Sequence, residues 1–215
     1  MGKIFALLCS LIWGIAVICF KKSGERISPF SLTFFRVGIT SILLVITAKI
    51  AGYNIFNAAP LEDYLILFAS GIIAIAISDT MFHHALNRVG AGLMAVVDCF
   101  YSPSVILFAF LLLNETIGFW QYAGMFLVLS AILIVSRHKP PEGVTRKDLA
   151  VGILWGLGAM ATLGFGVVIA KTVLEHSPLI WATAIRQIGS LFALVPVAVI
   201  SKRRRAIFSV FKPNR

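Results

Sequence analysis

Residues 21–36 read KKSGERISPFSLTFFR and residues 171–186 read KTVLEHSPLIWATAIR. In each stretch a lysine ends an apolar run, a Ser-Pro pair opens the next, and an arginine follows about two helical turns later. Sliding the chain along itself by 150 residues sets Gly2 on Gly152, Gly14 on Gly164, Lys21 on Lys171 and Arg36 on Arg186. An offset of 149 sets Ser28-Pro29 on Ser177-Pro178, and a one-residue indel reconciles the two. Chance matching of apolar helices explains shared glycines and leucines, which recur in any membrane segment. It explains the order Lys, Ser-Pro, Arg poorly.

Around this repeat the chain is almost wholly apolar. Of its 215 residues 59% are hydrophobic and 13% charged, and the mean hydropathy is +0.95. A soluble domain carries about 25% charged residues, so an ordinary soluble enzyme is excluded. A bilayer-crossing helix uses about 20 residues. The apolar runs 4–20, 30–51, 64–85, 92–113, 119–135, 149–173 and 178–200 therefore predict an all-α polytopic membrane protein of about seven transmembrane helices. None shows the period-two alternation of a barrel strand, and each is too long for one. The first run follows Lys3 but ends abruptly at Lys21-Lys22 without a small-residue cleavage site, so it reads as a retained helix and not a secretory signal.

The segment 137–148, RHKPPEGVTRKD, is the most polar before the tail and holds the only Pro-Pro pair. It divides a first five-helix unit, 1–136, from two helices of a second, 149–200, followed by a basic tail, 201–215. An odd number of helices per unit reverses the second copy in the membrane. Inverted repeats of this kind recur in secondary transporters, with the substrate site near the midplane between halves. A full second unit would need three more spans, so the expectation is seven tenths of a ten-helix protein. A partner or a second copy supplying those spans is the alternative.

The 19 Lys and Arg outnumber the 9 Asp and Glu, and six cations fall in the last 15 residues. The run Arg203-Arg204-Arg205 admits a nucleic-acid reading, but short cationic loops on one face are the ordinary mark of the cytoplasmic side. With seven spans, Lys3, Lys49 and Lys171 share one face, while 14 cations, tail included, share the other. The expected topology has the N-terminus outside and the tail in the cytoplasm of a multi-pass plasma-membrane protein. Cys9, Cys19 and Cys99 sit in apolar runs without metal spacing and read as small buried hydrophobes.

These features, taken in order, resemble the EamA-type members of the drug/metabolite transporter superfamily. The resemblance lies in Trp13-Gly14, Lys21-Lys22 closing the first helix, Ser28-Pro29 with Arg36 seven residues on, Ala85-Leu86, Pro103, and Leu113-Asn114-Glu115 ahead of the fifth helix. It covers residues 4–136 well and 149–200 more weakly. It implies a ten-helix permease of two inverted halves, moving small metabolites or drugs without ATP, either facilitative or coupled to an ion or proton.

Ionisable groups inside the spans carry the site hypothesis, because a Lys, Arg or Asp at a helix centre costs about 2.5 to 3.5 kcal/mol on insertion scales. Arg36, Asp79, Asp98 and Arg186, with adjacent Gln187, are such groups. Mutual pairing is one reading. In the other, Arg36 holds an anionic group of the substrate or a counter-carboxylate, and Asp79 or Asp98 takes up a coupling proton. Trp13, Tyr101 and Trp181 offer aromatic faces, and Pro103 should kink the fourth helix and free a carbonyl near residue 99. The expected substrate-binding set is Trp13, Arg36, Asp79, Tyr101, Pro103 and Arg186, with Asp79 and Asp98 for the coupling ion. No cofactor is expected.

Asp79 and His83, spaced i, i+4, share a helix face, but His84 points about 100° away, poor evidence for a metal. Both histidines read as the polar end of the third helix near the membrane boundary. An intramembrane enzyme using Asp79, His83 and His84, and a non-transporting membrane subunit, are the rival functions. Gly156-Leu-Gly158 lies within a hydrophobic helix with no preceding strand, so it is not a nucleotide loop. Gly152 and Gly156 make a small-residue packing face. Glu115 is expected to cap a helix start.

Overall fold

In the computed structural model, residues 2–56, 59–137 and 144–200 are described. Helix α1 (Gly2–Gly24) runs through unbroken apolar sequence to Lys21-Lys22. The chain turns with the Arg26 and Ile27 amides donating to the Ser23 carbonyl, both at 3.0 Å. Ser28 then caps α2 (Pro29–Ile50): its hydroxyl accepts from the Ser31 amide at 3.2 Å, and Pro29 takes the first helical position, where no amide is needed. Gly52, at φ 81°, closes α2, with its amide and that of Tyr53 reaching back to the Lys49 and Ala48 carbonyls.

Helix α3 (Leu61–Gly71) opens after Pro60 with Glu62 and Asp63 in the first turn, where the helix dipole favours negative charge. A π-helical turn, Ile72–Ile77, joins it to α4 (Ser78–Asp98). The apolar run Leu61–Asp98 has 38 residues, about 57 Å of helix if straight, twice the bilayer's hydrocarbon core. Gly90 breaks it (φ 79°, ψ 170°), so one crossing ends there and the next begins. That next crossing continues past a turn at Cys99 and Phe100 into α5 (Tyr101–Leu113), which Asn114 closes in the left-handed conformation, φ 53°.

The remaining helices are α6 (Phe119–Arg137), α7 (Arg146–Leu174) and α8 (Leu179–Ile200). Thr145 caps α7: its hydroxyl accepts from the Asp148 amide at 3.0 Å and donates to the Asp148 carboxylate at 2.6 Å. This draws Arg146 to Asp148 into the helix, ahead of the expected start at Leu149. The protein is thus an all-α polytopic membrane protein: among the described residues six helical runs are long and apolar enough to span a bilayer, with α5 as a shorter apolar helix.

Contacts between ends fix the alternation of direction. At one end Asp63 meets His176 at 3.2 Å and Glu115 pairs with Lys171; at the other Lys21 donates to the Asn87 carbonyl and Asn87 to that of Gly24, each at 3.2 Å. The two stretches quoted first take the same helix–turn–helix conformation, closing at Gly24 and Leu174 and reopening at Pro29 and Leu179. They do so at opposite ends of the bundle.

Helix α7 is the hub, packed against α3, the π-helical turn, α4 and α5. Its glycines permit this: a Cβ on Gly156 would meet Val97 at 2.7 Å, and one on Gly166 would meet Ala74 at 2.6 Å. Phe82, Leu86, Val97 and Met160 share the core on the α4 side, and Leu67, Val173, Trp181 and Ile185 that on the α8 side. Helices α1 and α6 flank the bundle with largely exposed apolar faces.

One expectation fails here. Cys9, Cys19 and Cys99 are all exposed, because lipid outside the bundle is as apolar as its interior and hydrophobicity no longer reports burial. Pro103 interrupts the crossing: the break falls at Cys99 and Phe100, Cys99 being the residue four back whose carbonyl Pro103 cannot donate to, and the helix restarts as α5 at Tyr101. The Phe100 carbonyl is taken by Ser104, from its amide at 3.0 Å and its hydroxyl at 2.9 Å. The Pro140-Pro141 pair, Lys139, Asn57 and the tail 201–215 lie outside the described residues.

Candidate functional site

Helices α2 and α4 are joined by two polar rungs. Arg36, two turns beyond the Ser28 cap, forms an ion pair with Asp79, the second residue after the π-helical turn; their side chains are 25% and 18% exposed. One turn away, Thr33 and His83 meet at 2.9 Å between Oγ1 and Nδ1. The Thr33 hydroxyl also donates its single proton to the Pro29 carbonyl at 3.1 Å, so it accepts from His83. That places the ring proton on Nδ1. Phe20 and Phe82 contact the same ring edge-on at 5.2 and 5.7 Å.

His83 is therefore a buried interhelical residue, 1% exposed, and not the polar end of a helix at the membrane boundary. His84 turns away from it and stacks on Trp155 of α7 at 5.3 Å. Asp79, His83 and His84 thus serve three different partners and converge on no common point. Among the described residues no group of three His, Cys, Asp or Glu side chains is placed to hold a metal. Replacing Thr33 by Val should lower stability by about 1 to 3 kcal/mol, since His83 Nδ1–H would stay buried without an acceptor. Thermal unfolding in detergent measures this; an unchanged midpoint would remove the Thr33 bond from the energetics.

A second group lies between α1 and α4. The Trp13 indole donates to Asp98 Oδ2 at 2.9 Å, at the edge of a chamber of about 360 Å³ lined by Val17, Phe82, Met94 and Gly14 as well as this pair. The rings of Trp13 and Phe82 are 5.8 Å apart and tilted by 47°. Phe82 thus borders both the chamber and His83.

A third group involves α5 and α8. The phenol of Tyr101 lies within electrostatic reach of the Arg186 guanidinium, whose buried Nε has no hydrogen-bond partner. The neighbouring Gln187 bonds Thr40 of α2 through its amide, and Ser41 donates to its carbonyl at 3.3 Å. Pro103 is buried two residues beyond Tyr101. The expected set is therefore split in three: Trp13 with Asp98, Arg36 with Asp79, Tyr101 with Arg186. Glu115 caps no helix; it pairs with Lys171 across the α5–α7 end. Thr33, Thr40 and Phe82 escaped the sequence reading. Spacing alone flags two of them, Thr33 three residues before Arg36 and Phe82 three after Asp79.

An apolar bundle with opposite charges inside its spans defines a polytopic membrane protein. Residues 1–137 match the model of the EamA-like transporter family, and the chain belongs to that family. It is 24% identical over 194 residues to the WAT1-related protein At3g02690, chloroplastic, of Arabidopsis thaliana, an alignment covering 88% of this chain and 45% of the relative. It is 24% identical over 186 residues to the uncharacterized transporter YvbV of Bacillus subtilis (strain 168), covering 86% and 59%. It is 23% identical over 222 residues to the uncharacterized inner membrane transporter YhbE of Escherichia coli (strain K12), covering 100% and 63%. The chain spans about half the length of the curated relatives it matches.

Proposed function

We propose that the protein is a permease that moves a small metabolite or drug across the plasma membrane by alternating access between two inverted halves. The observation that carries this reading is the set of ionisable groups inside the apolar spans of a chain from a transporter family. Each costs about 2.5 to 3.5 kcal/mol to insert, and groups retained at that cost usually line a pathway or face a partner. Arg36 and Asp79 join the first half's α2 to α4. Tyr101, Pro103 and Arg186 border the seam with α8. Trp13 stands at the chamber beside Asp98.

Asp98 is the better carrier of a coupling proton. Asp79 is engaged by Arg36, and protonating it would strand the guanidinium. An indole N–H, in contrast, bonds either a carboxylate or the carbonyl oxygen of a carboxylic acid, so Asp98 changes charge without losing its contact. The cation excess on one face supports an outside N-terminus and a cytoplasmic tail.

The test is solute uptake into proteoliposomes across a metabolite panel, with and without an imposed pH gradient. Wild type is expected to concentrate at least one solute in response to the gradient. Asp98→Asn should lose the response to pH by tenfold or more. Gradient-driven uptake by Asp98→Asn at the wild-type rate would exclude that carboxylate, and no uptake of any solute would end the permease reading.

A further inference from the structure

We infer that the chamber between α1 and α4 is a binding site for a small organic cation, an ammonium group on an aromatic or apolar body, with Asp98 as its counter-ion. The inference deepens the permease reading by naming the substrate class, and it rests on that reading only for the step from binding to flux.

The argument starts from charge. Within the described spans Asp79 is paired with Arg36, and at the helix ends Glu115 is paired with Lys171 and Asp63 with His176. Asp148 is held in its cap by Thr145. Asp98 has a hydrogen bond from a neutral indole, and among the described residues no cation forms an ion pair with it. A lone carboxylate in an apolar surrounding is costly, and a bound cation offsets that cost.

The chamber's shape and lining select the rest of the ligand. Its volume of about 360 Å³ lies in the range of small-molecule sites. Among the described residues Asp98 is the only ionisable one in its wall; the others are Gly, Ala, Val, Ile, Met, Phe and Trp. The indole takes Oδ2 and leaves Oδ1 to a ligand. Two tilted aromatic rings 5.8 Å apart present the π surface that stabilises an organic cation, and the Met94 thioether adapts to an aromatic body. An anion would meet the carboxylate's repulsion. A neutral ligand of the same shape would leave the carboxylate unpaired.

The test is equilibrium binding to the full chain purified in detergent at neutral pH, by calorimetry. Three probes share one body: 2-phenylethylammonium, the uncharged 2-phenylethanol, and the anion 3-phenylpropanoate. The amine is expected to bind saturably, and the alcohol and the acid at least tenfold more weakly. Asp98→Asn keeps an amide oxygen for the indole bond and should cut amine affinity at least tenfold at an unchanged melting temperature, while Asp98→Glu recovers part of it. No saturable amine binding, equal affinity for amine and alcohol, or undiminished binding to Asp98→Asn overturns the inference. Should Asp98→Asn fail to fold, the three probes on wild type decide alone. Amine binding with no flux of any solute in proteoliposomes would remove the permease reading and keep the site. Flux of other solutes without amine binding would do the reverse.

Discussion

Arg36→Gln is expected to destabilise the protein by about 3 to 5 kcal/mol, the cost of removing one partner from a buried ion pair. The pair lies between α2 and α4 with little exposure on either side chain, so the Asp79 carboxylate left behind finds no bulk water to replace the guanidinium. Against a typical total of about 5 to 15 kcal/mol, this is a large loss. The companion variant Arg36→Gln with Asp79→Asn should recover most of it, because neutral amides can bond each other and no charge stays stranded. Chemical unfolding in detergent, followed by circular dichroism, of the wild type, Arg36→Gln, Asp79→Asn and the double variant gives the four values needed for a cycle. If the double variant loses the sum of the single losses, the two residues are not coupled and the pair contributes nothing.

Gly71→Ala should be worse for assembly than any loss of a polar contact. A Cβ on Gly71 would lie 1.9 Å from the carbonyl oxygen of Arg186, with that residue's carbonyl carbon at 2.7 Å and its Cα at 3.0 Å. All three are backbone atoms of α8, which no rotamer change can clear. The helices must separate, and a loss above about 4 kcal/mol, or failure to give a monodisperse protein, is expected. Gly14→Ala is the matched control: nothing lies within 4 Å of its added methyl, and alanine favours a helix by about 1 kcal/mol. Size-exclusion profiles and melting temperatures of the two variants check the contrast. Equal behaviour would show that α3 and α8 do not cross this closely.

Hydropathy made the spans legible, since membrane helices must satisfy their backbone internally and carry apolar side chains for some 20 residues at a time. The same rule hid what lies within them. Seventeen glycines look alike in the text, yet of the described ones Gly52 and Gly90 alone take positive φ, and Gly90 separates two crossings. Ile72 to Ile77, IIAIAI, is uniformly apolar and carries no mark of a π turn, which depends on how α7 and α8 pack around it. Burial of cysteines could not be read either, for lipid and protein interior ask for the same residues.

The site was legible as a set of expensive residues, because charge in an apolar run stands out. Its partnerships were not, because they join different helices: Arg36 to Asp79, Trp13 to Asp98, Tyr101 towards Arg186. Neutral supports such as Thr33 and Thr40 cost little to bury and so give no signal of their own.

The single turn at Ile72–Ile77 sets the phase between the two ends of one long rod. On its near side Gly71 faces α8, and on its far side Asp79 faces α2. A π turn holds a residue more than an α turn, and each residue in an α-helix advances the face by about 100°. Deleting one residue there would leave the rod's composition and length almost unchanged. It would swing Asp79, Phe82 and His83 together by more than a quarter of a circle, so that no choice of side chains could keep both faces on their partners.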